Sequence, residues 1–238
     1  MRLFYFLKKE KFFHYYQPVV NLQTMEIEGY EALFRSKAFL NPERAFRLAI
    51  RKKKLFEFDM RSLRKALLTF VKDGPARKGK KLFINVYPST ILHPSFAPFI
   101  LQLIDFCSIP SEQIVLEIVE HEMIADFIKL AAALKMLRKM GIKIAVDDFG
   151  KGIDNINRTI EIDADYIKLD RYFSIGLSNS NKKQAYVEFL VHYCNRFDVK
   201  LIFEGLETES DIDCAQVLGV SYAQGFAIGK PKPISQSI

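Results

Sequence analysis

The chain has 238 residues, 49% of them hydrophobic, with 35 basic against 28 acidic side chains and a net charge of +7. This fits one large domain or two small ones, and the positive balance suits a polyanionic ligand such as a nucleotide without requiring nucleic acid. Cys107, Cys194 and Cys214 lack CxxC or CxxH spacing, which argues against a disulfide framework or a zinc module and for free thiols in a reducing cytoplasm.

The opening MRLFYFL is too short before Lys8, Lys9 and Lys11 for a signal peptide or a membrane span. Basic runs at 51–54 and 77–81 read as solvated helix ends and loops, and basic and aromatic residues are not interleaved as in a nucleic-acid module. No Gly-, Ser- or Pro-rich linker divides the chain, so residues 1–238 are expected to form one domain.

HYYQPVVNL (14–22) and MEIEGYEALFR (25–35) are rich in β-formers and read as a hairpin or two neighbouring strands. Pro18 puts the first at an edge or makes it irregular. From Pro42 to about Phe70 the spacing of Phe46, Ala49 and Ile50 is helical, as two helices or one broken helix. KLFINVYP (81–88) is the next strand, and Asn85 stands in it where an apolar residue is expected, so a buried Asn85 needs hydrogen-bond or metal partners.

A helix near Phe96 to Phe106 leads to QIVLEIVE (113–120), an apolar run carrying Glu117 and Glu120. Met123, Phe127, Leu130, Ala131, Leu134 and Leu137 then recur three or four apart in a helix that stops at Gly141 behind Arg138 and Lys139. KIAVDDFG (143–150) runs from a buried strand into Asp147 and Asp148, two adjacent carboxylates that on this segment alone fit either a turn or a metal site.

DYIKLD (165–170) sets Lys168 in a short apolar strand, and Val187, Leu190, Val191, Cys194 and Phe197 mark a helix. KLIFEGLE (200–207) carries Glu204 and Glu207; Thr208 and Asp211 resemble a capping box opening a helix that ends at Gly219. VSYAQGFAIGKP (220–231) adds a last strand with Gln224. Strands alternating with helices imply a parallel sheet, and seven or eight of them make barrel closure the leading topology.

In such a barrel Glu31, Asn85, Glu117, Asp147, Asp148, Lys168 and Glu204 converge on one face, where active sites are built. So many acids together call for cations, and all-oxygen donors select magnesium, manganese or calcium over zinc or copper. Tandem aspartates suggest two ions, an arrangement suited to in-line attack on a phosphodiester, with Lys168 and Arg35 adding positive charge for an anionic substrate. A barrel enzyme with one Mg²⁺ and a lysine base is a different chemistry for the same fold, and the tandem pair argues against it. The four histidines, His14, His93, His121 and His192, show no ligand spacing and read as core or surface residues.

EALFR at 31–35 resembles the signature of the EAL-domain family of cyclic-di-GMP phosphodiesterases. YQPVV (16–20), FINVYP (83–88), LEIVE (116–120), VDDFG (146–150), YIKLD (166–170), FEGLE (203–207) and QGFAIGKP (224–231) are similar to its other motifs, in the same order. The resemblance implies an α/β fold, a TIM-like (β/α)8 barrel with a modified, partly antiparallel first strand. It also implies hydrolysis of cyclic-di-GMP to linear pGpG with Mg²⁺ or Mn²⁺ as two ions and Ca²⁺ as an inhibitor, in a homodimer.

Carried over by motif, Glu31, Asn85, Glu117 and Asp147 would bind one metal, and Asp147, Asp148 and Glu204 the second. Lys168 would position and help activate the attacking water. Arg35 would contact a phosphate, and Gln17, Leu33 and Gln224 would meet substrate, with Gln224 near the metal-site water. Glu120 and Glu207 would support the loop after DDFG. Three departures stand out: KGIDNI follows DDFG where the family has a polar TGYSSL, Val119 replaces a Thr, and Ser36 replaces the Trp after EALxR. They make a catalytically weak member, acting as a cyclic-di-GMP-binding or protein-interaction module, the alternative reading.

Overall fold

In the computed structural model, the described residues are 6–7, 9–119, 122, 126–150 and 159–236. The segment 151–158, which contains KGIDNI, lies outside them, as do Glu120, His121 and Met123.

Eight strands close into a barrel in sequence order. Strands β1 (Phe13–Asn21) and β2 (Ile27–Arg35) form an antiparallel hairpin in which Gln17 faces Glu31. From β2 onward each strand pairs in parallel with the next: β3 (Lys81–Val86), β4 (Ile114–Ile118), β5 (Lys143–Phe149), β6 (Tyr166–Leu169), β7 (Lys200–Glu204) and β8 (Tyr222–Gln224). β8 returns antiparallel to β1 through Val20 and Asn21. The expected modified first strand is therefore present. An edge position for Pro18 is not, because a closed barrel has no edges. The irregularity is real: the β1–β2 register shifts between Val19 and Val20, and of β1 only Val20 and Asn21 pair with β8.

Parallel neighbours need long crossovers, and helices supply them. The stretch from Pro42 resolves into two helices, α1 (Pro42–Arg51) capped by Asn41 and α2 (Leu55–Lys72). Lys53, at φ 52°, sits in the left-handed region between them and breaks the continuity. Short α3 (Pro88–Ile91) and α4 (Phe96–Cys107) precede β4. Helix α5 (Phe127–Lys139) starts behind Asp126, whose side chain accepts from the Lys129 N–H, and ends with Arg138 and Lys139 as expected. Then come α6 (Arg171–Ser174), α7 (Asn181–Arg196) and α8 (Glu209–Val217). Thr208 caps α8, with its hydroxyl also donating to Asp211 Oδ2 at 2.8 Å.

The apolar core has two parts. Helices pack on the outer face of the sheet, while Val19, Phe83, Val115, Ala145, Tyr166, Ile202 and Tyr222 form a separate buried cluster, one residue from each of seven strands. Side chains on a strand share a face every second residue. Two positions beyond this apolar layer on β3 to β8 stand Asn85, Glu117, Asp147, Lys168, Glu204 and Gln224.

Candidate active site

The strand period thus builds a polar layer on top of an apolar plug. β3 to β8 contribute the six residues just named, and the hairpin adds Glu31 from β2 and Gln17 from β1, opposite each other in register. Every strand of the barrel places one polar side chain in this layer. Glu31, Glu117, Lys168, Gln17 and Gln224 are buried, and Asn85, Asp147 and Glu204 partly so.

Lys168 is the centre of the arrangement. Its Nζ lies 2.8 Å from Glu117 Oε1 and from Glu204 Oε1, and 3.3 Å from Glu31 Oε2 and Asp147 Oδ1. Asn85 Nδ2 donates to Glu31 Oε1 and Glu117 Oε2, both at 3.1 Å. Gln224 Nε2 donates to Glu31 Oε2 at 2.6 Å and to Gln17 Oε1 at 3.0 Å, while Gln17 Nε2 reaches the Gly229 carbonyl at 3.0 Å. Both ends of the Gln17 amide are engaged, so this residue braces Gln224 and, through it, Glu31.

Burial alone would discharge Lys168, but Asp147, Glu117, Glu204 and Glu31 outweigh it and hold its pKa well above the usual lysine value. Burial acts the other way on the acids. It raises Glu117 well above the carboxylate range, with the Glu31 charge adding to it, and raises Asp147 as well. Glu204 is pushed up to about 8, again chiefly by burial. For Glu31 burial also raises, yet Lys168 and the hydrogen bonds from Gln224 and Asn85 prevail and hold it low.

One ammonium does not balance this many acids. Five carboxylates, from Glu31, Glu117, Asp147, Asp148 and Glu204, share the mouth with it. Glu117 Oε1, Asp147 Oδ1 and Gln224 Oε1 are buried acceptors with no well-directed hydrogen bond, despite the ammonium 2.8 Å from the first. Asp147, Asp148 and Glu204 each offer an oxygen, all within 4.8 Å of one another. Carboxylates crowded around a single ammonium, an unpaired buried Gln224 Oε1 and oxygen donors within reach of one point are what a hard divalent cation requires. The residues present fit such ions.

The chain around Asp148 is shaped for this. Asp148 has φ 56° and Gly150 φ 97°, so the strand turns sharply as it leaves the barrel. A Cβ on Gly150 would lie 2.4 Å from Phe173 Cε2, so any larger residue at this positive φ would have to displace the Phe173 ring on α6. Gly225, in QGF, is held for a similar reason, since a Cβ there would meet the Leu206 backbone oxygen at 2.1 Å.

Arg35 stays outside the polar layer: Nη1 donates to the Phe34 carbonyl at 2.8 Å and the guanidinium stacks on Tyr15. With Leu33 it lines a cavity of about 420 Å³ that also shares Asn85 and Val119 with the site. Ser36 faces the other way, donating to the Lys11 carbonyl at 3.1 Å. Glu207 is exposed and accepts from Arg171 Nη2 at 3.2 Å, at the start of α6. The cavity is also lined by His14, Ser62 and Asp59, which the sequence did not mark as site residues; an Asp at an inward helical position among Phe58, Leu63 and Ala66 was the available signal.

Together these features define a closed eight-stranded α/β barrel whose parallel strands deliver a carboxylate-rich, lysine-centred site to one mouth. A sequence profile of the EAL domain matches residues 2–231, and the chain belongs to the EAL domain family. It is 29% identical over 226 residues to the cyclic di-GMP phosphodiesterase PdeB of Shewanella oneidensis, covering 93% of this chain and 26% of that protein. The probable cyclic di-GMP phosphodiesterase PdeA of Escherichia coli is also 29% identical, over 93% of this chain and 30% of its own length. The chain therefore spans less than a third of either relative.

Among solved structures, the calcium/cyclic-di-GMP complex of Klebsiella pneumoniae BlrP1 superposes with a TM-score of 0.84 at 28% identity, covering 93% of this chain and 56% of that one. The PaMucR phosphodiesterase complex with c-di-GMP has the same fold, with a TM-score of 0.87 at 23% identity over the whole of both chains. No helix among the described residues is long and apolar enough to cross a membrane.

Proposed function

We propose that this chain is a metal-dependent phosphodiesterase that hydrolyses cyclic-di-GMP to linear pGpG in bacterial second-messenger signalling. The observation that carries the reading is the polar layer itself: Glu31, Asn85, Glu117, Asp147, Asp148, Lys168 and Glu204 are all present at one mouth. Relatives named as cyclic di-GMP phosphodiesterases, and BlrP1 complexes holding manganese or calcium with that dinucleotide, support the substrate and the ions.

Glu31, Asn85, Glu117 and Asp147 would hold one Mg²⁺ or Mn²⁺, and Asp147, Asp148 and Glu204 a second. When bound, such ions supply charge neutralisation and Lewis-acid polarisation of the phosphoryl group. Lys168 stays charged, so it donates to the attacking water and orients it instead of taking its proton. The new bond joins the water oxygen to phosphorus, the phosphorus–O3′ bond breaks, and the departing 3′-oxygen gains a proton. Glu204, the acid of the Lys168 group most open to solvent at 20% side-chain exposure, is suited to passing the water's proton out. Arg35 and Leu33 border the substrate side, Gln17 and Gln224 hold Glu31 in place, and Glu207 with Glu120 would steady the turn after Gly150.

The reading includes one barrel domain over 1–238, a homodimer and a cytoplasmic setting, the last supported by three free cysteines. A second reading, a weakly active signalling module, is favoured by the likeness to the E. coli antirepressor BluF, 25% identical over 91% of this chain. Incubation of purified protein with cyclic-di-GMP and Mg²⁺ or Mn²⁺, followed for pGpG beside Glu31→Ala and Lys168→Ala, separates the two. Absence of product from the folded parent under either ion would sink the enzyme reading.

A further inference from the structure

The positive charge of the chain is concentrated on one rim. Residues 37–54 hold seven basic side chains against Glu43 alone, in a chain whose net charge is +7. Lys37, Arg44, Arg47 and the run 51–54 are all exposed. The topology gathers them at the barrel mouth: β2 ends there at Arg35 and β3 starts at the opposite end, so the chain crosses the rim as α1 and descends as α2. Phe58 near the top of α2 packs on Phe34 and Phe70 near its foot on Tyr30, with ring centroids 5.3 Å and 6.4 Å apart. On the same rim Leu40 is 95% exposed and Ile50 46%.

Folding gives no reason for this pattern. Helix α1 buries Ala45 and Ala49 and stacks Phe46 on Phe58 without help from its basic residues. Arg44 stands in its first turn, where the helix dipole opposes a cation, and Arg47 and Arg51 are like charges one turn apart. The dipole favours Arg51 at the other end, but its reach is only the last turn. Two acids answer locally, Glu43 at 3.7 Å from Arg47 and Glu57 at 3.2 Å from Lys54. Among the described residues no salt bridge holds Lys37, Arg44, Arg51 or Lys52, so the rim keeps a field that an anionic surface can meet.

We propose that this rim is a docking surface for an anionic lipid bilayer, with the cations of residues 37–54 among the headgroups and Leu40 and Ile50 entering the acyl boundary. Clusters of about four to eight basic residues bind such surfaces, each cation adding about fivefold in affinity, and apolar burial is the second signal that stable attachment needs. The apolar members decide the occupant. A nucleic acid would use the charges, but it gains nothing from an exposed leucine, and residues 37–54 present no exposed aromatic ring on which a base could stack. Docking along α1 turns the barrel mouth toward the bilayer. The inference stands apart from the hydrolase reading, since none of these residues belongs to the carboxylate layer.

The test is co-sedimentation of the full chain with vesicles of pure phosphatidylcholine and with vesicles of equal parts phosphatidylcholine and phosphatidylglycerol. Binding is expected to the second alone and should weaken as salt is raised. Arg44→Gln, Arg51→Gln and Lys52→Gln together should weaken it about a hundredfold, and Leu40→Ser, at unchanged charge, about tenfold. All four side chains are exposed, and near-UV circular dichroism checks that the variants remain folded. Equal binding to both vesicle types, or binding to neither, overturns the proposal. Leu40→Ser binding as the parent does also overturns it, and tight binding of single-stranded poly(U) in that case assigns the rim to nucleic acid instead.

Discussion

The ammonium of Lys168 lies 2.8 Å from Glu117 Oε1, and both side chains are closed off from solvent. Removing one partner of a buried ion pair leaves the other uncompensated, which typically costs about 3–5 kcal/mol. Lys168→Met is therefore expected to lower stability by about that amount in urea denaturation with EDTA present, and to recover part of it on adding Mn²⁺ as the ions take over the charge. Hydrolysis should fall by about 10²–10⁴-fold, the usual range for losing a group that handles the reacting water. A variant as stable as the parent without metal would contradict this account of the site.

In the proposed two-metal site Asp148 would meet two demands, a carboxylate for a cation and a left-handed backbone, the latter at φ 56°. Asparagine tolerates that conformation and keeps one oxygen but loses the charge. Asp148→Asn should thus keep the parent's thermal stability in EDTA and bind Mn²⁺ about tenfold more weakly in calorimetry, since charge count sets affinity for hard ions. Asp148→Val should lose about 1–3 kcal/mol through backbone strain. Equal behaviour of the two variants in both assays would show that neither demand operates.

Gly150 and Phe173 are coupled by space. Gly150→Ala places a methyl 2.4 Å from the ring at φ 97° and is expected to cost about 1–3 kcal/mol. Phe173→Ala removes the collision but not the strained φ, so the double variant should be more stable than the sum of the single changes by about 0.5–3 kcal/mol. Simple additivity in a denaturation cycle would argue that the turn moves freely past α6.

His14 and Asp59 titrate against folding in opposite senses. Burial lowers His14 to about 3. Against roughly 6.5 unfolded, its contribution is complete above that value and lost as pH falls toward 3. Burial raises Asp59 to about 7. Against roughly 3.9 unfolded, stability is greatest below that value and declines as pH rises to 7. Asp59→Asn should therefore gain on the parent between pH 4.5 and 7.5, by about 3 kcal/mol, at roughly 1.36 kcal/mol per unit. His14→Leu should gain as pH falls over the same window. Urea denaturation in EDTA at both pH values checks this, and variant-to-parent differences that do not change with pH would refute it.

Much of the architecture is legible without coordinates because it is local. The alternation of apolar strands with helical spacing, the stop at Gly141 and the Asp147–Asp148 step out of a strand all depend on neighbours within a few residues. The period of two along each strand even carries the layer plan, with Phe83 and Asn85, or Tyr166 and Lys168, on one face. The motifs and their order were enough to suggest the family. Pro18 shows the boundary of that reasoning: its ring announces an irregular strand, but only closure of the sheet says that the strand has no free edge.

Amino-acid order alone thus determined that seven hard-oxygen or ammonium groups end up at strand ends, and that an Asp-Asp pair leads out of the barrel. Tertiary structure decided what they do to one another. The Gln17–Gln224–Glu31 chain joins residues about 200 positions apart, and the four acids around Lys168 come from four different strands. Coulomb interactions and desolvation act through space, so the raised lysine and the raised Glu204 exist only once the barrel has closed.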